Sequence, residues 1–230
     1  MPYYNPSIVG TPENIEQPGA PTISHTATQT PTPGNTIVAL VRTNNTNSTT
    51  VSSSGWSKIA ESGGTLTPSW AVFTRKVVDV AGAPDITGVT FTLSSTPGNT
   101  DISWLEVNRL GTTLDQAAGT PTTGTGTSTT PGGQTPGENS MTIALAALSG
   151  AVTAPGMTQG FTLLAAGAGS SARWLIGYEM NAAGAASGSP VISWTTSRTF
   201  RAVVVTIRGA LYGAPPLQRE APHRRLLQRR

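Results

Sequence analysis

Residues 35–42 read NTIVALVR, Asn35 to Arg42. Six of the eight are aliphatic or β-branched with no polar interruption from Ile37 to Val41. A short apolar run bounded by turn residues is the signature of a strand buried on both faces. Pro33 and Gly34 close it on one side and the Asn/Thr run 44–50 on the other, as strand boundaries require. Similar runs lie at 70–78 (WAVFTRKVV), 89–95 (VTFTLSS) and 101–110 (DISWLEVNRL). The last puts Ile102, Trp104 and Glu106 on one face and Leu105 and Val107 on the other. A second set follows at 140–148, 160–167, 173–180, 190–197 and 200–209. No helical period of useful length precedes residue 213, so the sequence predicts an all-β fold.

Composition agrees. Charged residues make up 11% of the 230-residue chain, against about 25% in an average globular protein. Disordered chains are charge-rich and poor in β-branched residues; this one is the reverse. It has no cysteine, which excludes a disulfide framework and thiolate metal sites. The start MPYYNPSIVG lacks a basic region and an apolar run, so no secretory signal is expected. No stretch approaches the ~18 apolar residues of a membrane span. The net charge of +3 sits in the last twenty residues, which hold five of the fourteen cations and one of the eleven acids. The body therefore lacks the basic face of a nucleic-acid binder.

The two sets of strands echo each other in order. PGNTIVAL (33–40) matches PGENSMTIAL (136–145), and GWSKIAES (55–62) matches GFTLLAAG (160–167). Trp70 opens one strand as Trp174 opens another, VTFTLSS matches VISWTTS, and SWLEVNRL (103–110) matches RAVVVTIRG (201–209). Recurrence of five motifs at a period near 103 residues predicts an internal two-fold repeat. The expected fold is a jelly-roll-like β-sandwich of about ten strands, its two halves (33–110 and 136–210) packed as two sheets around one core. Residues 1–32, dense in Pro and Thr, read as an extended arm with at most an edge strand near Thr22–Thr28. Residues 111–135 read as a flexible Gly/Thr/Pro linker, and 211–230 as a basic tail. Two small sandwiches are the alternative.

Candidate chemistry is sparse. His25 and His223, the only histidines, are expected to be exposed and apart, so no metal site is expected. Glu106 and Glu179 sit mid-strand between apolar residues and form the one carboxylate pair of interest for acid/base hydrolysis; surface ion pairs are the competing reading. Asp79 and Asp85 are thin support for calcium. No nucleophile elbow or phosphate loop occurs, and the expectation is no catalytic set, no cofactor and no metal. The tryptophans read as core, with Trp56, next to a turn glycine, the candidate for a sugar platform. The tail APPLQREAPHRRLLQRR offers Arg219, Arg224, Arg225, Leu226, Leu227, Arg229 and Arg230. It is too short for a membrane anchor, has no aromatic to stack on bases, and reads as a docking strap onto a protein neighbour.

The succession GNTIVAL, GWSKIAES, SWAVFTRKV, VTFTLSS, ISWLEVNRL, a Thr/Gly linker and a second round ending RAVVVTIRGA resembles the jelly-roll modules of minor tail and other accessory virion proteins from phages of actinobacteria and relatives. The resemblance spans about residues 33–210. It implies a lectin-like sandwich on a virion, multimeric (a trimer is one arrangement), made in the host cytoplasm and carrying no catalytic set. It implies as partners other tail or capsid subunits. A tail or tail-tip component is the first expectation. A capsid decoration protein of the same fold is the alternative, and a module binding host cell-wall glycan a further one.

Overall fold

The computed structural model describes residues 5–44, 49–51, 55–62, 67–166, 172–182 and 184–210. The tail residues expected to dock, Arg219 to Arg230, and His223 lie outside them. Every described element is a strand. The first half holds β1 (Ser7–Pro18), β2 (Thr22–Thr26), β3 (Thr36–Thr43), β4 (Thr49–Val51), β5 (Ser57–Glu61), β6 (Ser69–Lys76), the hairpin β7 (Asp79–Val80) and β8 (Ala83–Pro84), β9 (Gly88–Leu93) and β10 (Asn99–Asn108). The second holds β11 (Leu110–Leu114), β12 (Thr122–Thr129), β13 (Ser140–Val152), β14 (Gly156–Met157), β15 (Thr162–Ala166), β16 (Ala172–Asn181) and β17 (Ile192–Gly209).

The strands pair antiparallel throughout. One sheet runs β1-β10-β3-β6-β5, a second β11-β17-β13-β16-β15, and a small third β2-β9-β4. β12 and β14 both pair with β17. That 18-residue strand serves two layers: Phe200–Arg208 lies beside β13, while Ile192–Ser193 lies beside β14 and the end of β12. A strand that turns a corner between sheets in this way covers its own sheet's outer face.

β3 is buried along its whole length, as its apolar run predicts. Its alternate residues enter different cores. Val38 and Leu40 meet Ile143, Leu145, Trp174 and Val205 across the seam between the two large sheets. Ile37, Ala39 and Val41 face Phe91, Val89 and Ile23 of the small sheet. A third cluster joins Ala144, Ala146 and Val204, on the far face of the second large sheet, to Ile192, Trp194 and Phe200. The single core expected from the sequence is thus replaced by three, stacked through two doubly covered sheets. A sheet with both faces covered needs continuous apolar strands, which is why β3, β13 and the end of β17 lack clean alternation.

Two segments read as loops are strands. Ser7–Pro18 is no arm: it pairs with β10 from Ser7↔Asn108 to Pro18↔Asn99, with a shift between Val9 and Glu13. As an edge strand it tolerates its prolines. The expected linker contributes β11 and β12, both on β17. The rest of it is pinned by buried Gln134, whose Nε2 donates to the Ala117 carbonyl and whose Oε1 accepts from Thr206 Oγ1, and by Asp115, which accepts from the Gly137 amide.

Candidate functional site

The polar chemistry concentrates along the seam between the two large sheets. Arg42 shares the parity of Val38 and Leu40 and so points into the seam, where it is fully buried. Its Nη1 donates to Asn99 Oδ1 at 2.9 Å and Asp101 Oδ2 at 3.1 Å, and its Nη2 to the Leu148 carbonyl of the opposite half. Burial outweighs the attraction within the pair: it lowers the guanidinium pKa and raises the Asp101 carboxyl. Trp174 Nε1 donates across the same seam to Ser103 Oγ at 2.9 Å. Arg201 donates to the Ser62 carbonyl, and Arg173 pairs with Glu16. These contacts tie the two halves together.

The sequence missed both this pair and a second one. His25, expected to be exposed, is 5% exposed. Its Nε2 lies 3.0 Å from Glu13 Oε2, and its ring meets Trp104 edge-on at 5.5 Å. Burial pulls the imidazole pKa below its ordinary value, against the pull of Glu13. Glu13 Oε1 accepts from the Thr28 amide and hydroxyl at 2.8 and 2.7 Å. The alternation of β2 (Ile23 in, Ser24 out, His25 in) carried the signal; reading this stretch as an arm hid it.

The carboxylates singled out in sequence are not brought together. Glu106 shares the face of Trp104, towards the small sheet, and accepts from the Thr32 amide (2.8 Å) and Asn35 Nδ2 (2.5 Å). Glu179 shares the face of Leu175, on the far side of the other large sheet. Two sheets separate them, and they cannot flank one bond. Asp79 and Asp85 are spent on the β7–β8 hairpin: Asp79 accepts from the Gly82 amide, and Asp85 from the Val78 amide and Arg75. No cluster of three or more metal-ligating side chains occurs among the described residues.

Trp70, Trp104, Trp174 and Trp194 are all buried. Trp56 is half-buried, packed on the cluster beneath the small sheet and edge-on to Trp104 at 6.0 Å, so part of its ring is committed to packing. Several clefts open to solvent. One, of about 570 Å³, lies at the end of the seam between Glu16, Gln17, Asn99 and Arg173. Another of about 330 Å³ lies between Lys76, Leu110 and Arg208.

Glu179 is half-buried, its Oε2 has no hydrogen-bond partner among the described residues, and burial raises its pKa above 4.5. A carboxyl raised in the folded state binds protons more tightly there than when unfolded, so its contribution to stability falls as pH rises through 4.5 towards the raised value. Glu179→Gln should therefore lessen the loss of Tm between about pH 4 and about pH 7. An unchanged loss would mean that water reaches this carboxylate in the folded protein.

No protein-family model, no curated protein and no solved structure matches the chain.

Proposed function

We propose that the chain is a structural protein of a bacteriophage particle, a minor tail or tail-tip component, built from two jelly rolls in tandem. The observation that carries this reading is the strand order. Numbering β1–β6, β9 and β10 as the first to eighth strands, one sheet of the first half reads first, eighth, third, sixth and the other second, seventh, fourth. This order supports a jelly-roll reading, with β5 added beside β6. The second half repeats it: β11-β17-β13-β16-β15 follows β1-β10-β3-β6-β5, and the end of β12, the start of β17 and β14 follow β2-β9-β4.

Details finer than order support the repeat. The register slips between Lys58 and Ala60 opposite Phe73 and Val72, and between Leu163 and Ala165 opposite Gly177 and Ile176. Bulges are inherited features of a fold rather than accidents. Trp70 and Trp174 occupy matching places in the seam. The halves thus meet through equivalent faces, as two subunits of an isologous dimer do.

Jelly rolls serve capsids and lectins alike, and fold alone does not choose between them. What favours a structural role is the use of the polar groups. The buried Arg42–Asp101 pair joins two strands, and the Glu106 and Glu13 carboxylates fasten the connection after β2 to β10 and β1. A double sandwich with its polar groups spent on internal contacts suits a particle component that must survive outside a cell.

Immunogold labelling of purified particles tests the reading. Label at the tail tip is expected, and a chain ending at Ala210 should fold yet fail to enter particles. Label spread over the head at high copy number would favour capsid decoration. Absence of the chain from particles, with binding on a glycan array, would overturn the structural reading in favour of a carbohydrate-binding module.

A further inference from the structure

We infer that β12 is the surface through which two copies of this chain pair, edge to edge, about a two-fold axis. The inference rests on the strand itself and stands apart from the virion reading. β12 lies outside β17, with Thr122↔Ala202 to Gly126↔Arg198 in unbroken register. Among the described residues no strand pairs with its other edge. An open edge presents a row of backbone donors and acceptors, and proteins guard such rows with charge, proline, bulges or short length.

The other described edges are guarded. β1 carries Pro12, Glu13, Glu16 and a register shift. β5 has Lys58, Glu61 and a shift, and β15 and β11 have shifts of their own. β4 and β14 span three and two residues. β2 is covered in part: the Gln17 side-chain amide donates to the Ser24 carbonyl at 2.8 Å. β12 reads TTGTGTST and has neither charge nor proline; it too has a register shift, between Gly126 and Ser128, but from Thr122 to Gly126 it is regular.

What selects a second copy as the occupant is self-complementarity. Thr123-Gly124-Thr125-Gly126-Thr127 reads the same in both directions. Antiparallel pairing centred on Thr125 sets Thr123 against Thr127, Gly124 against Gly126, and Thr125 against its own copy. Threonine pairs across strands are favourable, and no like charges meet. Thr123, Thr125 and Thr127 are exposed while the glycines lie on the inner face. There a Cβ on Gly124 would come within 3.1 Å of the Phe200 ring, so glycine keeps the strand flat against its own sheet. Contact through the same patch on both copies closes at two. One strand pair buries less than the roughly 1,200 Å² of a standard interface, so the dimer is weak at low concentration and gains strength wherever copies are held side by side.

The absence of cysteine from the whole chain gives a clean test. In full-length Thr125→Cys the two sulfurs would face each other across the axis, within the Cα spacing of about 4.4–6.8 Å that a disulfide accepts. Under mild oxidation it should form covalent dimer at least about tenfold faster than Ala185→Cys, an exposed control on a loop. Thr123→Cys mixed with Thr127→Cys should cross-link, while each alone should not. Adding Thr123→Lys to Thr125→Cys should return the rate to that of the control with the circular dichroism spectrum unchanged. Equal rates for Thr125→Cys and Ala185→Cys, or cross-linking indifferent to the added lysine, would overturn the inference, as would docking of some other protein's strand on this edge.

Discussion

Arg42→Met should destabilise the protein by about 3–5 kcal/mol. The substitution leaves Asp101, 2% exposed, without its cation inside the seam, and it removes the donor to the Leu148 carbonyl that ties β3 to β13. An unpaired buried charge costs far more than a pair gains. Arg42→Met together with Asp101→Leu should therefore recover most of the loss, because the pair itself is costly to desolvate and apolar Val38, Leu40 and Leu145 lie in the same seam. The single variant should also acquire a pH dependence. Burial already raises the Asp101 carboxyl, and without Arg42 nothing opposes it. A carboxyl raised in the folded state weakens the fold as pH climbs from its unfolded value, near 4, so the variant's deficit should grow between acid and neutral pH. Urea denaturation of the two variants across that range measures all three effects. A single-variant loss below about 1 kcal/mol would show that water enters the seam and solvates Asp101.

Trp174→Ala should cost about 3–5 kcal/mol and leave unfolding a single transition. Trp174 is 1% exposed at the centre of the seam, packed with Val38, Leu40 and Val203 of both halves, and its indole donates to Ser103. Truncation opens a cavity and strips a buried hydroxyl of its donor. Both halves border that cavity, so neither should melt ahead of the other. Two resolved calorimetric transitions would mean that the seam is a mere contact between independent sandwiches. Trp56→Ala is the internal comparison: half-buried at the rim of the neighbouring cluster, it should cost well under half as much.

The strand positions were legible in the sequence because burial on a pleated sheet is a local pattern. The run from Ile37 to Val41, the recurring tryptophans and the clusters of glycine and proline marked β3, β6, β10, β13, β16 and β17. The same alternation placed Glu106 on the face of Trp104. What failed was the reading of segments in which glycine, proline or charged residues interrupt the strand formers. Thr125 is held by Thr199, and Glu13 by Trp104; backbone groups some 75 to 90 residues away supply the bonds, and no local pattern announces them.

Arg42 shows the division most sharply. Its parity with Val38 and Leu40 was written in the sequence and pointed it inward. That it meets Asp101 followed only from the register of β3 against β10. That it also reaches Leu148 followed from the way the two large sheets stack. The sequence by itself determined an all-β chain with apolar residues on both faces of its central strands. The tertiary structure decided which faces meet, how many cores result, which Pro- and Thr-rich stretches become edges, and which charges are sealed inside. The physical reason is that alternation is set by neighbours along the chain, whereas pairing, stacking and burial of charge are set by partners that only folding brings near.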